Sequence, residues 1–189
     1  MSEAIDQPPT VLAIDGSPTA GGRTRAALDA VSSAAVDAGA SLERIELGAA
    51  GAGVEPAIEA LAGADAVVLA SPVYRASSAT PLKQLLDTIP RSGTAPPESP
   101  LSGKAVAIVY VGASLHHFLA LDSLRSVLAG FFAAHVVPPG LYLPREAFDE
   151  DLGLRDPYAD HARLQGAALV ELAYALRRSP VLRSLRPQA

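Results

Sequence analysis

Apolar and polar positions change period repeatedly along this chain. Val11-Leu12-Ala13-Ile14 is a short continuous apolar run that leads into a Gly16-Ser17-Pro18 turn, the pattern of a strand buried on both faces. Residues 24–38 follow with Leu28, Val31, Ala35 and Ala38 at spacings of three and four, which predicts a helix ended by Gly39. Leu42–Leu47 alternates Leu42 and Ile45 with Glu43 and Glu46, as expected of a partly exposed edge strand. A Gly/Ala loop at 48–53 and a short helix over Pro56–Leu61 lead to the third strand, Ala66–Leu69. Thr80, as N-cap, and Pro81 open a helix that runs to about Thr88.

Residues 90–103 form a Pro/Ser/Gly loop, and Ala105–Val111 is a fourth strand. A helix from about His117 to Phe132 is expected to bury Leu121, Leu124, Leu128 and Phe131. Val136-Val137 and Leu141–Leu143 make a fifth strand region, bent at Pro138-Pro139-Gly140. Residues 144–159 read as an irregular charged loop. The last helix, Asp160–Arg177, directs Leu169, Leu172, Ala173 and Leu176 inward. This alternation implies an α/β three-layer sandwich around a five-stranded parallel sheet in the order 2-1-3-4-5. It is read as one domain over residues 10–178, with 1–9 a disordered N-terminal segment and 179–189 a mobile tail.

In that order a ligand site lies at the carboxyl ends of the strands, beside the switch point between the first and third. Three loops fall on this rim. The first, Gly16 to Thr24, combines glycines, the hydroxyls of Ser17, Thr19 and Thr24, and Arg23, at the start of a helix. Free N–H groups, a dipole and a charge-assisted fork are what a phosphate monoester requires. The loop has neither the Lys-Ser/Thr ending of a P-loop nor G-x-G-x-x-G. The second, Ser71 to Ser78, carries Pro72, Val73, Tyr74 and Arg75. These offer an apolar wall for a flat heteroaromatic ring, with N–H groups along its polar edge. The third, Gly112 to His117, has the small residues Gly112, Ala113 and Ser114, which let backbone approach a ligand. Each loop alone also reads as an ordinary polar turn; it is their coincidence on one rim that points to a ligand.

Composition narrows the classes. There is no Cys, which excludes disulfides, thiolate catalysis and thiolate metal sites. Fifteen Lys and Arg against twenty Asp and Glu leave a net charge of −5, unfavourable for a nucleic-acid partner. No run of about 20 uncharged apolar residues is present, so no membrane span is expected. The acidic, Pro-containing start MSEAIDQPPT is unlike a signal peptide, and a cytoplasmic protein is expected. His116 and His117 are adjacent and do not face each other on a helix, so no metal site is expected. His135 reads as a hydrogen-bonded structural residue and His161 as solvent-facing.

At GSP…GGRT, at ASPVYRASSATPLKQLLD and at GASLHHFLALDSLRSVLAGFFAAHVVPPGLYL the chain resembles the NADPH-dependent FMN reductase family, in particular its alkanesulfonate-type members. The middle segment resembles the family stretch S-P-x-Y-[RK]-x-S…L-K-x-x-x-D through Ser71, Pro72, Tyr74, Arg75, Ser77, Leu82, Lys83 and Asp87. The resemblance implies a flavodoxin-like fold, FMN as bound cofactor or substrate, and NADPH or NADH as hydride donor. A free flavin or a quinone would be the acceptor. It implies a homodimer or homotetramer, with the helices after the third and fourth strands as the contact, and admits a flavin-dependent monooxygenase as partner. By position, Ser17, Thr19, Arg23 and Thr24 would hold the phosphate and Pro72, Val73, Tyr74 and Arg75 line the ring. Gly112, Ala113, Ser114 and His117 would sit near its pyrimidine side. No side chain is assigned an acid–base role.

The chain departs from the family at Ser78, where many relatives have an aromatic residue, and at Ala113, in place of a second glycine. Residues 120–128, Ala-Leu-Asp-Ser-Leu-Arg-Ser-Val-Leu, are one residue shorter than the alkanesulfonate-type pattern and lack its Tyr. That predicts a helix with regular i→i−4 bonding, without a π-bulge, and slower FMN release. Arg23, Arg25 and Arg75 near the site favour an anionic dinucleotide visitor over a flavodoxin-type electron carrier, which is the alternative reading. A non-enzymatic flavin sensor or assembly protein is a third.

Overall fold

The structure is a computed structural model that describes residues 7–48, 51, 53–90 and 99–187. Parts of the expected N-terminal segment, of the loops at 48–53 and 90–103, and of the C-terminal tail lie outside the described residues.

Strand β1 (Thr10–Asp15) is buried because it is paired on both sides, by β2 (Ser41–Glu46) and by β3 (Ala66–Tyr74), both parallel. β3 pairs in turn with β5 (Ala105–Val111). β5 pairs with two short pieces, β6 (His135–Val136) and β7 (Leu141–Leu143). The order β2-β1-β3-β5-β6/β7 is the expected 2-1-3-4-5 arrangement with its fifth strand split. The split has a local cause. Pro138 and Pro139 have no N–H to give to the ladder, and Gly140 turns the chain at φ 82°. Before the break the Val137 N–H still reaches the Val106 carbonyl at 2.9 Å.

The two faces of the sheet differ in side-chain size. One presents Val11, Ala13, Ala66, Val68, Ala70, Ala105, Ala107 and Val109 to helices α1 (Gly22–Asp37) and α5 (Tyr158–Arg178). The other presents Leu12, Ile14, Val67, Leu69, Val106, Ile108 and Tyr110 to α2 (Val54–Gly63), α3 (Thr80–Thr88) and α4 (Ala120–Ser126). The alternation follows from the two-residue period of a strand. On the small-residue face α1 and α5 also touch each other: a Cβ on Gly166 would lie 2.4 Å from the Val31 carbonyl oxygen and 2.7 Å from Ala34 Cβ.

Several local expectations need correction. α1 stops at Gly39 as expected, the Gly39 and Ala40 N–H groups bonding back to Val36 and Ala35, but it ends one residue early and Ala38 is exposed. α3 is capped by Ala79, with Thr80 already helical, because the buried Ser71 hydroxyl accepts the Ala79 N–H at 2.9 Å and sets the helix start there. The segment after β3 is not an open loop. β3 runs on to Tyr74 and turns back through β4 (Ser77–Ser78), antiparallel to it. Arg75 and Ala76 both have positive φ, 52° and 61°, the two-residue turn that matches hairpin twist.

The expected helix over 117–132 has three parts: a 3-10 turn at Leu115–His117, α4, and a π-helical turn at Val127–Phe131. The expectation of regular i→i−4 bonding without a π-bulge is therefore wrong. The π turn takes up an extra residue, so Phe132 points into the core while Phe131 is exposed. Leu121, Leu124 and Leu128 are buried as expected. α6 (Pro180–Arg183) lies after the last helix, and the His135 Nε2 is 3.0 Å from the Leu182 carbonyl, the structural role expected of that histidine. His161 is exposed.

At the amino rim of the sheet, charged groups bolt elements together. Lys104 Nζ donates to the carbonyls of Leu61, Ala62 and Ala64, closing the end of α2. Arg177 donates to Asp65 through Nε and Nη2 and to the Gln7 carbonyl, while the Thr10 N–H donates to Asp65. Burial alone would raise the Asp65 pKa, but these donors outweigh it and hold the carboxyl below its ordinary value. A depressed carboxylate contributes stability above its unfolded pKa and loses it as pH falls through the folded one. Arg177→Ala should therefore cost about 2 kcal/mol at neutral pH. In strongly acid solution, with Asp65 protonated, the gap to wild type should close, as urea denaturation at the two pH values would show.

Candidate functional site

The carboxyl ends of β1, β3 and β5 lie side by side on one rim. From β1 the chain leaves Asp15, 2% exposed, whose Oδ1 accepts the Ser17 N–H at 2.9 Å. Burial raises the Asp15 pKa, the Ser17 N–H opposes this, and the charge of Glu46 adds to the rise. The Ser17 hydroxyl accepts the Thr19 N–H at 3.3 Å and lies 3.5 Å from the Thr19 hydroxyl. Ser17 and Thr24 are buried, while Thr19 and Arg23 are exposed. α1 begins through Gly21 and Gly22, at φ 73° and 76°, a conformation that favours glycine. No side chain caps this helix start and its first turn holds no acid. Its N–H groups and dipole are left to face the rim.

From β3 come Pro72 and Val73, half-buried, and Tyr74, 56% exposed. Beneath the hairpin, Tyr110 is hydrogen-bonded to Ser78, yet burial pushes its pKa up to about 12, so it stays a neutral phenol. From β5 the Gly112 N–H reaches the Leu143 carbonyl at 3.0 Å, and Tyr142 Oη donates to the Ser114 carbonyl at 2.7 Å. A Cβ on Gly112 would lie 1.8 Å from that hydroxyl, so any larger residue there must push the Tyr142 side chain aside.

These loops enclose a cleft of about 480 Å³, large enough for a cofactor-sized ligand. It is lined by Ser17, Thr19, Arg23, Thr24, Pro72, Val73, Tyr74, Gly112 and Ala113, all expected from the sequence, together with Gly21, Gly22, Val111 and Arg145. Arg75, Ser114 and His117 are not among its lining residues. Arg75 sits at the hairpin turn, and the Ser114 hydroxyl is 3.1 Å from His116 Nδ1. Arg25, expected near the site as a free cation, is committed elsewhere: it pairs with Asp29 at 3.1 Å and with Glu46. Sequence reasoning missed Arg145. Its signal was its place two residues after the fifth strand, on the same carboxyl rim, within what read as an irregular loop.

A cleft of similar volume at the amino rim is lined by Asp65, Lys104, Arg177 and Arg183. The donors of Lys104 and Arg177 are already committed there to carbonyls and to Asp65. The carboxyl-rim cleft differs in having arginines without ion pairs among the described residues, and no carboxylate in its lining.

A doubly wound parallel sheet, with an uncapped helix start and two further loops around one cleft at the switch point, defines a flavodoxin-like protein. Residues 9–148 match the model of the NADPH-dependent FMN reductase family, and the chain belongs to that family. It is 35% identical over 106 residues to the NADH-dependent FMN reductase SfnF of Pseudomonas putida, covering 56% of this chain and 53% of that protein. It is 31% identical over 126 residues to an FMN reductase (NADPH) of Pseudomonas aeruginosa, 67% of this chain and 62% of the relative. The matched region thus spans a little over half the length of these curated relatives. Among solved structures it resembles the apo form of the NADH:FMN oxidoreductase EMOB, with TM-score 0.71 and 25% identity, over 94% of this chain and 95% of the other.

Gly112→Ala should displace the Tyr142 hydroxyl and break its bond to Ser114. The expected cost is about 1–3 kcal/mol of stability. In the structure of the variant, the third loop should stand away from β7.

Proposed function

We propose that this chain is an NAD(P)H-dependent FMN reductase, moving hydride from NADH or NADPH to FMN and electrons on to a free flavin or a quinone. The observation that carries the reading is the uncapped, acid-free start of α1 facing the carboxyl-rim cleft. Family membership and the named activities of the relatives support it.

The donor set fits FMN. Its phosphate would be held by the N–H groups at the start of α1 with Ser17, Thr19, Arg23 and Thr24. Pro72, Val73 and Tyr74 would wall the ring. Gly112 and Ala113 would admit it to backbone distance, with Arg75, Ser114 and His117 around the outer edge. Bound FMN supplies the hydride-accepting centre; the protein supplies placement and electrostatics. No side chain is assigned to proton transfer. A cleft lined by arginines and no carboxylate receives an anionic dinucleotide better than an acidic carrier site would, which favours turnover over the electron-carrier alternative. The π turn at Val127–Phe131 removes the ground for expecting slow FMN release, so FMN is assigned as cofactor or substrate alike.

Losing one charge-assisted phosphate contact costs about 1.5–3 kcal/mol. Arg23→Ala should weaken FMN binding roughly ten- to a hundredfold and leave riboflavin binding almost unchanged. Equal losses in a fluorescence titration with both ligands would refute the phosphate assignment.

The active form we infer is a homodimer or homotetramer acting in the cytoplasm, where nicotinamide donors are supplied. A flavin-dependent monooxygenase is an admissible recipient of reduced FMN. Support for association comes from Leu115, Phe118, Leu119 and Phe131, large apolar side chains exposed on and around α4. Among the described residues no helix is long and apolar enough to cross a membrane. Sedimentation at micromolar concentration with FMN should find at least a dimer; a monomer alone would refute this.

A further inference from the structure

Arg145 lines the cleft from the side opposite β1. The parallel register pairs Val111 with Leu143, and the Gly112 N–H bonds the Leu143 carbonyl. Pro144 stays extended, so Arg145 emerges level with Ala113 at the start of the 3-10 turn Arg145–Ala147. Its side chain is exposed and makes no ion pair among the described residues. By contrast Arg25 and Arg44 share Asp29, and Arg25 also pairs with Glu46.

Position decides what this cation meets. Between β1, which leads into the phosphate-type loop, and β7, which leads to Arg145, lie three strand spacings, about 14 Å. That exceeds the reach of an arginine side chain. Arg145 therefore stands at the edge of the cleft away from β1, beside the Gly112–Ala113 backbone, which the FMN reading places against the ring.

We propose that Arg145 sets the redox preference of the site by standing against the pyrimidine end of the flavin, so that the reduced, anionic cofactor is bound more tightly than the oxidised one. The inference rests on the FMN reading above. Reduction places negative charge on N1 and the adjacent C2 carbonyl. A guanidinium at that edge is a charge-assisted donor to the reduced form and an ordinary donor to the oxidised form. Arg145 is the permanently charged side chain in the cleft lining beside that loop, so its attraction to the ring changes most when the ring gains charge.

The test is anaerobic titration of flavin-free wild type, Arg145→Gln and Arg145→Lys with oxidised FMN and with dithionite-reduced FMN, repeated with riboflavin in both states. Arg145→Gln should weaken reduced FMN roughly ten- to a hundredfold, the worth of one charge-assisted hydrogen bond, with a much smaller change for oxidised FMN. Riboflavin should show the same redox difference, because it carries the ring without the phosphate. Arg145→Lys should recover much of the loss. Equal weakening of both redox states would overturn the proposal. So would a loss confined to FMN and absent from riboflavin, which would make Arg145 a phosphate ligand. So would unchanged flavin affinities with a raised KM for the nicotinamide donor, which would place it on the dinucleotide. Wild type that binds no FMN in either state would refute the FMN reading itself, a result distinct from any of these.

Discussion

The close approach of α1 to α5 and to the alanine-rich face of the sheet is the contact on which the arrangement depends. Gly166 lies against the backbone of Val31 and the methyl of Ala34, and there is no room for a further carbon. Interiors packed to this density transmit position, because a shift in one element is a clash in the next. α1 is thereby held at one height over β1, β3 and β5. Its amino end is directed to the rim where the strands end. The helix starts there without any side chain capping it.

The opposite face of the sheet is built differently and tolerates more irregularity. Leu12, Ile14, Leu69, Ile108 and Tyr110 are large, so the helices there ride on a thicker layer. α4 passes into a π turn and exposes Phe131 while Phe132 fills the core. This asymmetry puts the start of α1 on one face of the sheet and the exposed apolar side chains around α4 on the other. The amino rim is closed by Lys104 on the carbonyls at the end of α2 and by Arg177 on Asp65.

Charge around the cleft is arranged by what is already neutralised. Arg25 and Arg44 lie on Asp29, and Arg25 also on Glu46, so neither is free to meet a ligand. Arg23 and Arg145 remain in the cleft lining, which holds no carboxylate. A lining of that charge suits an anionic ligand.

The order of strands, the rim on which the cleft lies and most of the cleft's lining were legible in the amino-acid sequence. Period-two and period-3.6 patterns report burial, and a parallel sheet buried on both faces allows few orders. Gly39, Pro138-Pro139 and the Gly21-Gly22 pair were readable because each acts through its own backbone. What the sequence could not decide were properties that depend on partners distant in the chain. Ala79 became the cap of α3 because the Ser71 hydroxyl reaches it from within β3. Arg25 was withdrawn from the site by Glu46, 21 residues away. Arg145 was brought to the cleft by the pairing of β7 with β5. The π turn, expected to be absent from the local spacing, came with Phe132 seated in the core. Local patterns determine which residues face inward and where the chain must turn; which donor meets which acceptor is decided only when packing brings remote segments within a hydrogen bond of each other.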